Sequence, residues 1–571
     1  MSRREEWDAI VIGSGISGGW AAKELAEKGL RVLVLEAGRP IDPARDFLMN
    51  APAYEFDYRY FLDQDYGWRK GYNPRQPVQQ KCYACDEGAT QFFVDDEDNP
   101  YTTPEGRPFD WIRGRQVGGK SIMWGRQCYR MSDLDFEANA RDGHGTDWPI
   151  RYRDIAPWYD KVEAYAGISG EKLGLAQLPD GPFLAPMPLT ASEAWFRDGL
   201  RRAYGGDRVL TIGRVAVLSE RHNGRPACHY CGDCHRGCST GSYFNSVQTT
   251  LKDALRTGRC RIRPFSVVPV PLKEESTARV TGARVLDALT MRSIEFQSRI
   301  VFVCASALES TRILLNSRSR SHPEGLGGNA GVLGRYLMDH TMQHGASGDV
   351  AGFEDRRTFG SRPNGVYLPR FRNVRDPHPD FLRGYGYQGG GYRRVEGWGR
   401  GVARRGFGAD FKHALRTPEY GTWRMSIGGF GECLPNPDNR VALDPVKVDR
   451  WGVPVLHIDM VWRENEQVMM RDAEVQAAEM LEAAGCRNVK TYNNRTPPGL
   501  TVHEMGTARM GARRQDSVLN RWNQVWDAPN VFVTDGACMT SSGCQNPSIT
   551  YMALTARAAD RAVTLLTAKE L

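Results

Sequence analysis

Residues 8–36 read DAIVIGSGISGGWAAKELAEKGLRVLVLE, and the fold class turns on them. Ala9–Ile12 is a short apolar run suited to a buried parallel strand. Gly13, Gly15 and Gly18 follow directly as G-x-G-x-x-G. The first glycine permits a tight turn, the second lets backbone approach a pyrophosphate, and the third lets the next helix pack on the strand. The pattern predicts a helix over 16–28, with Ile16, Trp20, Ala21 and Leu25 near one face and Gly29 ending it. A second strand over 31–35 places Glu36 at its end, where a carboxylate can accept hydrogen bonds from a ribose. Strand, turn, helix, strand and terminal acid together indicate a dinucleotide site. They leave NAD and FAD both open.

The rest of the composition limits what surrounds that unit. A chain of 571 residues is long enough for two or more domains and a large core. With 41% hydrophobic and 25% charged residues it has the make-up of a soluble globular protein. A net charge of +7 is small for this length and the arginines are dispersed, which argues against a nucleic-acid partner. No apolar run reaches the ~18 residues that a spanning helix needs. Arg3 and Arg4 lead into acids and the first strand rather than an export signal, so the chain is expected to carry no signal of its own. The 13 cysteines are scattered except for one cluster, unlike a secreted disulfide framework.

Beyond Glu36 the sequence is irregular and aromatic through Tyr101. The acidic run at 95–98 reads as a solvated loop or as the border of a polar substrate site. Val117–Ser121, VGGKS, suggests a second close backbone approach to a ligand, with a plain turn as the alternative. Periodicity predicts helices over 154–166, 192–204, 249–257 and 464–484, and strands over 261–268, 290–296, 424–430, 440–443 and 531–535. Residues 300–316 read as strand, small-residue turn and helix, with the turn at Cys304–Ala307 passing close to a ligand or simply packing tightly. Residues 393–405 hold five arginines and three glycines and read as an exposed loop, or as a dock for an acidic partner.

Cys228, Cys231, Cys234 and Cys238 are spaced C-x2-C-x2-C-x3-C. Four thiolates this close can wrap an iron–sulfur cluster, either 4Fe-4S or, with three ligands, 3Fe-4S. Zinc held by cysteine with His229 and His235 is a second reading, and disulfides or plain thiols a third. Cys82 and Cys85 form only a C-x2-C pair and read as buried thiols. Near the C-terminus, His503 can take a hydroxyl proton because its ordinary pKa lies near neutrality. Asn546 can hold the same oxygen, or it can cap a helix over 548–566 with Pro547 at the first position. His503 can equally be a satisfied core histidine. The start of that helix carries partial positive charge, which favours a ligand that becomes anionic.

VGGKS (117–121), VCASALESTRILLN (303–316), HEMGT (503–507) and VFVTDGACMTSSGCQNPSITYMALTARAAD (531–560) together resemble the glucose–methanol–choline (GMC) oxidoreductases. The resemblance spans nearly the whole chain. It implies an α/β protein: a Rossmann-like FAD-binding domain interleaved with an α+β substrate domain built on an antiparallel sheet. The FAD domain is expected over 1–45, 105–150, 225–340 and 500–571, including the cysteine segment. The substrate domain and lid loops are expected over 46–104, 151–224 and 341–499. Carried onto this sequence, Gly13, Gly15, Ile16, Ser17, Gly18 and Glu36 hold the ADP half of FAD. Gly118, Gly119 and Ser121 lie near the flavin, Asp535 and Gly536 meet the ribityl and phosphate region, and Asn546, Pro547 and Ser548 border the flavin. The catalytic pair becomes His503 and Asn546.

RGRQVGGKSIMWGRQ (113–127) and CHYCGDCHRGCSTGSYFNS (228–246) are most similar to the glucoside (pyranoside) 3-dehydrogenase branch. Pyranose oxidases place a flavin-linking histidine where this chain has Met123, so FAD is expected to be non-covalent. The implied reaction is oxidation of a secondary ring hydroxyl, at C3 of a glucoside or other pyranose, with electrons leaving through the iron–sulfur cluster to an external acceptor. A peroxide-forming oxidase and a non-redox FAD-containing lyase are the competing expectations. Related dehydrogenases are similar in having a small helper subunit and a cytochrome c-type subunit. Export would then be to the periplasm with a signal-bearing partner; otherwise the enzyme stays in the cytoplasm.

Overall fold

The computed structural model describes residues 6–49, 51, 73–273, 279–358, 360–396, 407–416 and 419–571. Glu6–Ile12 forms the first strand, Ile16–Glu27 the first helix and Val32–Leu35 the second strand. The two strands pair in parallel with Ala9 opposite Val32. Ala9, Ile10, Val11, Val32 and Val34 are fully buried, as a parallel strand covered on both faces requires. Gly18 packs against the turn, where any side chain would collide with the Gly13 carbonyl.

Five parallel strands make the centre of one sheet, in the order Ala528–Val533, Ser293–Val303, Glu6–Ile12, Val32–Leu35, Cys260–Arg263. An antiparallel flap, Ser266–Lys273 with Val280–Asp287, joins it at Ser293–Val303. The single strand expected over 261–268 is therefore two. Pro264 lacks an N–H and Phe265 takes a left-handed φ of +54°, which breaks the ladder between them.

A second, antiparallel sheet runs Arg487–Asn493, His344–Val350, Glu419–Gly431, Tyr385–Glu396, Val366–Leu368, Thr211–Ile212. Helix Glu464–Ala484, as expected from its periodicity, lays Met469, Ala473, Ala477, Met480 and Leu481 across this sheet against Tyr385, Tyr387, Met425 and Ile427. Part of the arginine-rich run is thus strand: Arg393 lies in Tyr385–Glu396 and binds backbone carbonyls of Gly421, Glu354 and Arg356. Residues 397–406 and most of the aromatic segment 46–72 lie outside the described residues. The acidic run closes on its own neighbourhood: Arg75 binds Asp95, Glu97 and Asp98, and Asp96 accepts from Gln79. Among the described residues no helix is long and apolar enough to cross a membrane.

Candidate active site

A cavity of about 1200 Å³ opens at the carboxyl ends of the parallel strands and reaches the antiparallel sheet. Gly13, Gly15, Ile16, Ser17 and Glu36 line one end. Gly15 faces it directly: a β-carbon there would meet nothing within 4 Å. This empty cradle ahead of a helix N-terminus is the shape a pyrophosphate needs. Glu36 accepts from the Ser14 hydroxyl at 2.5 Å, the Ser14 N–H at 3.1 Å and the Gly38 N–H at 2.9 Å. Burial raises its pKa, and these hydrogen bonds and Arg115 oppose the rise.

The VGGKS turn meets the first glycine turn edge on. The Gly118 N–H donates to Ser14 Oγ at 2.9 Å, and Ser246 links Ser121 Oγ to the Gly15 carbonyl. Gly119, Lys120, Ser121 and Met123 line the cavity, whereas Gly118 backs onto Val247 and Gly18 onto the first strand. Asp535 and Gly536 line the wall beyond them. Asp535 accepts from the Ser310 hydroxyl at 2.5 Å and caps the Ala537 N–H at 3.1 Å. Burial pushes its pKa up to about 6 against those hydrogen bonds. The residues present therefore fit a dinucleotide stretched from Glu36 toward Asp535.

At the far end stand His503 and Asn546, both lining the cavity. The Asn546 amide nitrogen is 3.3 Å from His503 Nε2, and Asn546 Oδ1 accepts from the Gln388 amide at 2.6 Å. Asn546 thus does not cap the last helix. That helix is Ser548–Thr567 with Pro547 in the cap position and no side-chain cap, a one-residue shift from expectation. The physical reason is competition: the Asn546 side chain is taken by His503 and Gln388. Ser548 and Tyr551 line the cavity, while Pro547 does not, so the first helical turn presents its partial positive charge there.

His503 is held by a loop tied to Asp339. That carboxylate accepts from the Gly499 N–H at 2.7 Å, the His503 N–H at 3.2 Å and the Thr501 hydroxyl. Burial pushes Asp339 up to about 7. Burial drives His503 well below its ordinary pKa, with His340 and Lys120 adding to the effect. Lys120 pairs with Glu504 at 3.1 Å. Gln343, Gln388, Asn364, Asn494 and Thr496 line this end with Phe430. Asn364 donates to the Gly213 carbonyl at 2.6 Å, while its buried Oδ1 has no partner. Lys120, His340, Gln388 and the amide wall were not legible as site residues. They come from separate segments, and only Lys120 sits in a motif.

The four cysteines of 228–238 gather beside this cavity. Cys234 and Cys238 are buried and Cys228 and Cys231 half-buried, in one cluster with Tyr243 and Trp124. Burial pushes Cys234 up to about 11; the Arg126 guanidinium opposes this and the other three thiols reinforce it. Trp124 and Arg126 line the cavity, and the Tyr243 hydroxyl donates to the Trp124 carbonyl at 2.8 Å. His235 is 2.7 Å from Asp86 and His229 is exposed. Among the described residues no three His, Cys, Asp or Glu side chains are arranged to hold a single metal ion, and no disulfide forms. Cys82 and Cys85 are buried in a separate apolar cluster with Phe47 and Phe92.

Family profiles described as GMC oxidoreductase match residues 8–342 and 435–555. The chain is 29% identical to the 2-methyl-1,2-propanediol dehydrogenase of Mycolicibacterium austroafricanum, over 97% of this chain and 95% of that protein. It is 26% identical to the fructose dehydrogenase large subunit of Gluconobacter japonicus, over 97% of each. The crystal structure of pyridoxine 4-oxidase from Mesorbium loti shares the fold, with a TM-score of 0.59 at 18% identity over 98% of this chain and 99% of that one. With both profiles together covering most of its length, the chain belongs to the GMC oxidoreductase family and is an FAD oxidoreductase acting on CH–OH donors.

Proposed function

We propose that this protein is an FAD-dependent sugar dehydrogenase that oxidises a secondary ring hydroxyl, at C3 of a glucoside or related pyranose, to the ketone. One observation carries the reading. His503 Nε2 and the Asn546 amide stand side by side at the amide-walled end of the cavity that begins at Gly15. A hydroxyl oxygen between them accepts from Asn546 and gives its proton to His503 Nε2. Such general-base help is worth roughly 10²–10⁴-fold. When bound, FAD supplies the two-electron acceptor for the carbinol hydride. The positive end of helix Ser548–Thr567, whose Ser548 and Tyr551 line the cavity, favours negative charge there. The uncharged amides of Gln343, Gln388, Asn364 and Asn494 suit a ligand made of hydroxyl groups rather than an acid or an apolar chain.

The iron–sulfur reading, with Cys228, Cys231, Cys234 and Cys238 as thiolate ligands, is supported by their spacing and by their gathering in one cluster, Cys234 and Cys238 buried and Cys228 and Cys231 half-buried. Such a cluster, when bound, takes up and passes on single electrons. The likeness to a protein named as a large subunit supports assembly with a smaller subunit; the external acceptor proposed for the electrons is a cytochrome c-type protein. On that reading the complex reaches the periplasm through the partner's signal.

The test is anaerobic mixing of the FAD-loaded enzyme with a panel of methyl glycosides. Flavin bleaching by a pyranoside, with a 3-keto product by mass spectrometry and NMR, is the expected result. Bleaching only by acyclic alcohols would overturn the sugar reading. Turnover with a dye acceptor and little peroxide in air is expected, and stoichiometric peroxide would make the protein an oxidase. Iron and labile-sulfide analysis of protein purified without air decides the cluster, and Cys234→Ser should lose iron while keeping flavin.

A further inference from the structure

His340 lines no part of the cavity, yet it lies directly behind the base. It is 1% exposed, and its ring meets the His503 ring edge on at 5.0 Å between centroids. Its Nε2 is 2.8 Å from the Gly543 carbonyl and its Nδ1 is 2.9 Å from His503 Nδ1. A carbonyl oxygen only accepts, so the hydrogen on this pair belongs to His340 Nε2. Burial keeps the ring neutral, pushing its pKa down to about 4. His340 Nδ1 therefore carries a lone pair. The hydrogen between the two rings must then sit on His503 Nδ1.

The opposite end of the network runs the same way. The Gln388 amide N–H donates to Asn546 Oδ1 at 2.6 Å. That turns the Asn546 N–H toward His503 Nε2, 3.3 Å away, and a donor there requires Nε2 to be the unprotonated nitrogen. Four hydrogen bonds thus run one way, from Gln388 through Asn546, His503 and His340 to the Gly543 carbonyl. The final acceptor is itself fixed: the Gly543 N–H donates to Glu432 at 3.2 Å, and Arg383 grips Glu432 at 2.7 Å in the buried interior.

We infer that His340, anchored on the Gly543 carbonyl, is a positioning residue that locks His503 in the Nδ1–H tautomer and so leaves Nε2 free to receive the substrate proton. In the other tautomer Nε2–H would face Asn546 and the substrate, and it could not act as a base. The inference rests on the reading of His503 as that base.

The test uses the FAD-loaded enzyme and a methyl glucopyranoside that bleaches the wild-type flavin, with His340→Phe, His340→Asn and His503→Ala. His340→Phe is expected to lower the limiting rate of anaerobic flavin reduction by roughly 10²–10³-fold, because the ring loses the acceptor that sets its tautomer. The glycoside concentration for half-maximal rate should change little. His340→Asn, whose amide oxygen replaces the Nδ1 lone pair, should recover most of the rate. Ring-¹⁵N histidine NMR of the wild-type enzyme needs no substrate and should show His503 protonated at Nδ1. A His340→Phe enzyme that reduces flavin at the wild-type rate, or an Nε2–H tautomer in the NMR spectrum, overturns the inference. Wild-type rates in His503→Ala would instead overturn the base reading, so the two failures are told apart. If His340→Phe does not fold, the asparagine variant and the NMR tautomer decide.

Discussion

Gly15→Ala and Gly18→Ala change the same G-x-G-x-x-G turn and should fail in opposite ways. At Gly15 the backbone is extended (φ −67°, ψ −155°) and a β-carbon meets nothing within 4 Å. Alanine costs up to about 1 kcal/mol as a poorer helix cap. It regains roughly 0.4–1 kcal/mol by restricting the unfolded chain. The apoprotein should therefore unfold within about 1 kcal/mol of wild type. The new methyl instead fills the cradle, pushing a pyrophosphate off the first-turn N–H groups. Losing one charge-assisted hydrogen bond costs about 1.5–3 kcal/mol, or about tenfold to a hundredfold in FAD affinity. At Gly18 the methyl drives into the Gly13 carbonyl. Gly13 cannot yield, because it holds φ +94° and is wedged against the Cys304 carbonyl. That overpacking should cost about 1–3 kcal/mol or more before any ligand is added. The assay is thermal and urea unfolding of apoprotein, followed by fluorescence titration with FAD. A folded Gly15→Ala protein that binds FAD as tightly as wild type would refute the placement of the pyrophosphate.

His503→Ala should keep FAD bound while losing roughly 10²–10⁴-fold in anaerobic flavin reduction, measured by stopped flow. Lys120→Met should move the acid limb of that rate to higher pH. Burial is the main cause of the lowered His503 pKa, but Lys120 adds to it, so its removal lets the base protonate sooner as pH falls. His340 predicts an acid-stability signature. Its folded pKa of about 4 lies below the ordinary 6.5, so between those values the unfolded chain binds a proton that the native state refuses. Stability falls as pH falls through that window, by about 3 kcal/mol for this one group. The gap in unfolding free energy between wild type and His340→Asn should shift by that amount, in favour of the variant, from pH 7 to pH 4. An unchanged gap in urea titrations would show that His340 is not held neutral.

The opening residues determined their own structure. Ala9–Ile12, the three glycines and Glu36 lie within one strand–turn–helix–strand, whose apolar spacing and glycine positions are set by contacts inside it, such as Ala9 opposite Val32, Gly18 on Gly13 and Ser14 on Glu36. The long helix Glu464–Ala484 was legible for the same reason, since its apolar spacing records the one sheet it covers. The family motifs extended this to His503, Asp535 and Asn546. What the sequence left open were questions of partnership between distant segments. Whether Asn546 caps a helix or serves the cavity depended on Gln388, which lies 158 residues away on the antiparallel sheet. What the inner edge of the His503 ring bonds to depended on His340, 163 residues away, and the Gly543 carbonyl behind it. The acidic run at 95–98 looked ambiguous until Arg75 was seen to close it. A carboxylate, an amide or an imidazole has several possible hydrogen-bond partners, and local spacing does not choose among them. Burial does, because a polar group withdrawn from water must find its partner wherever the fold brings one.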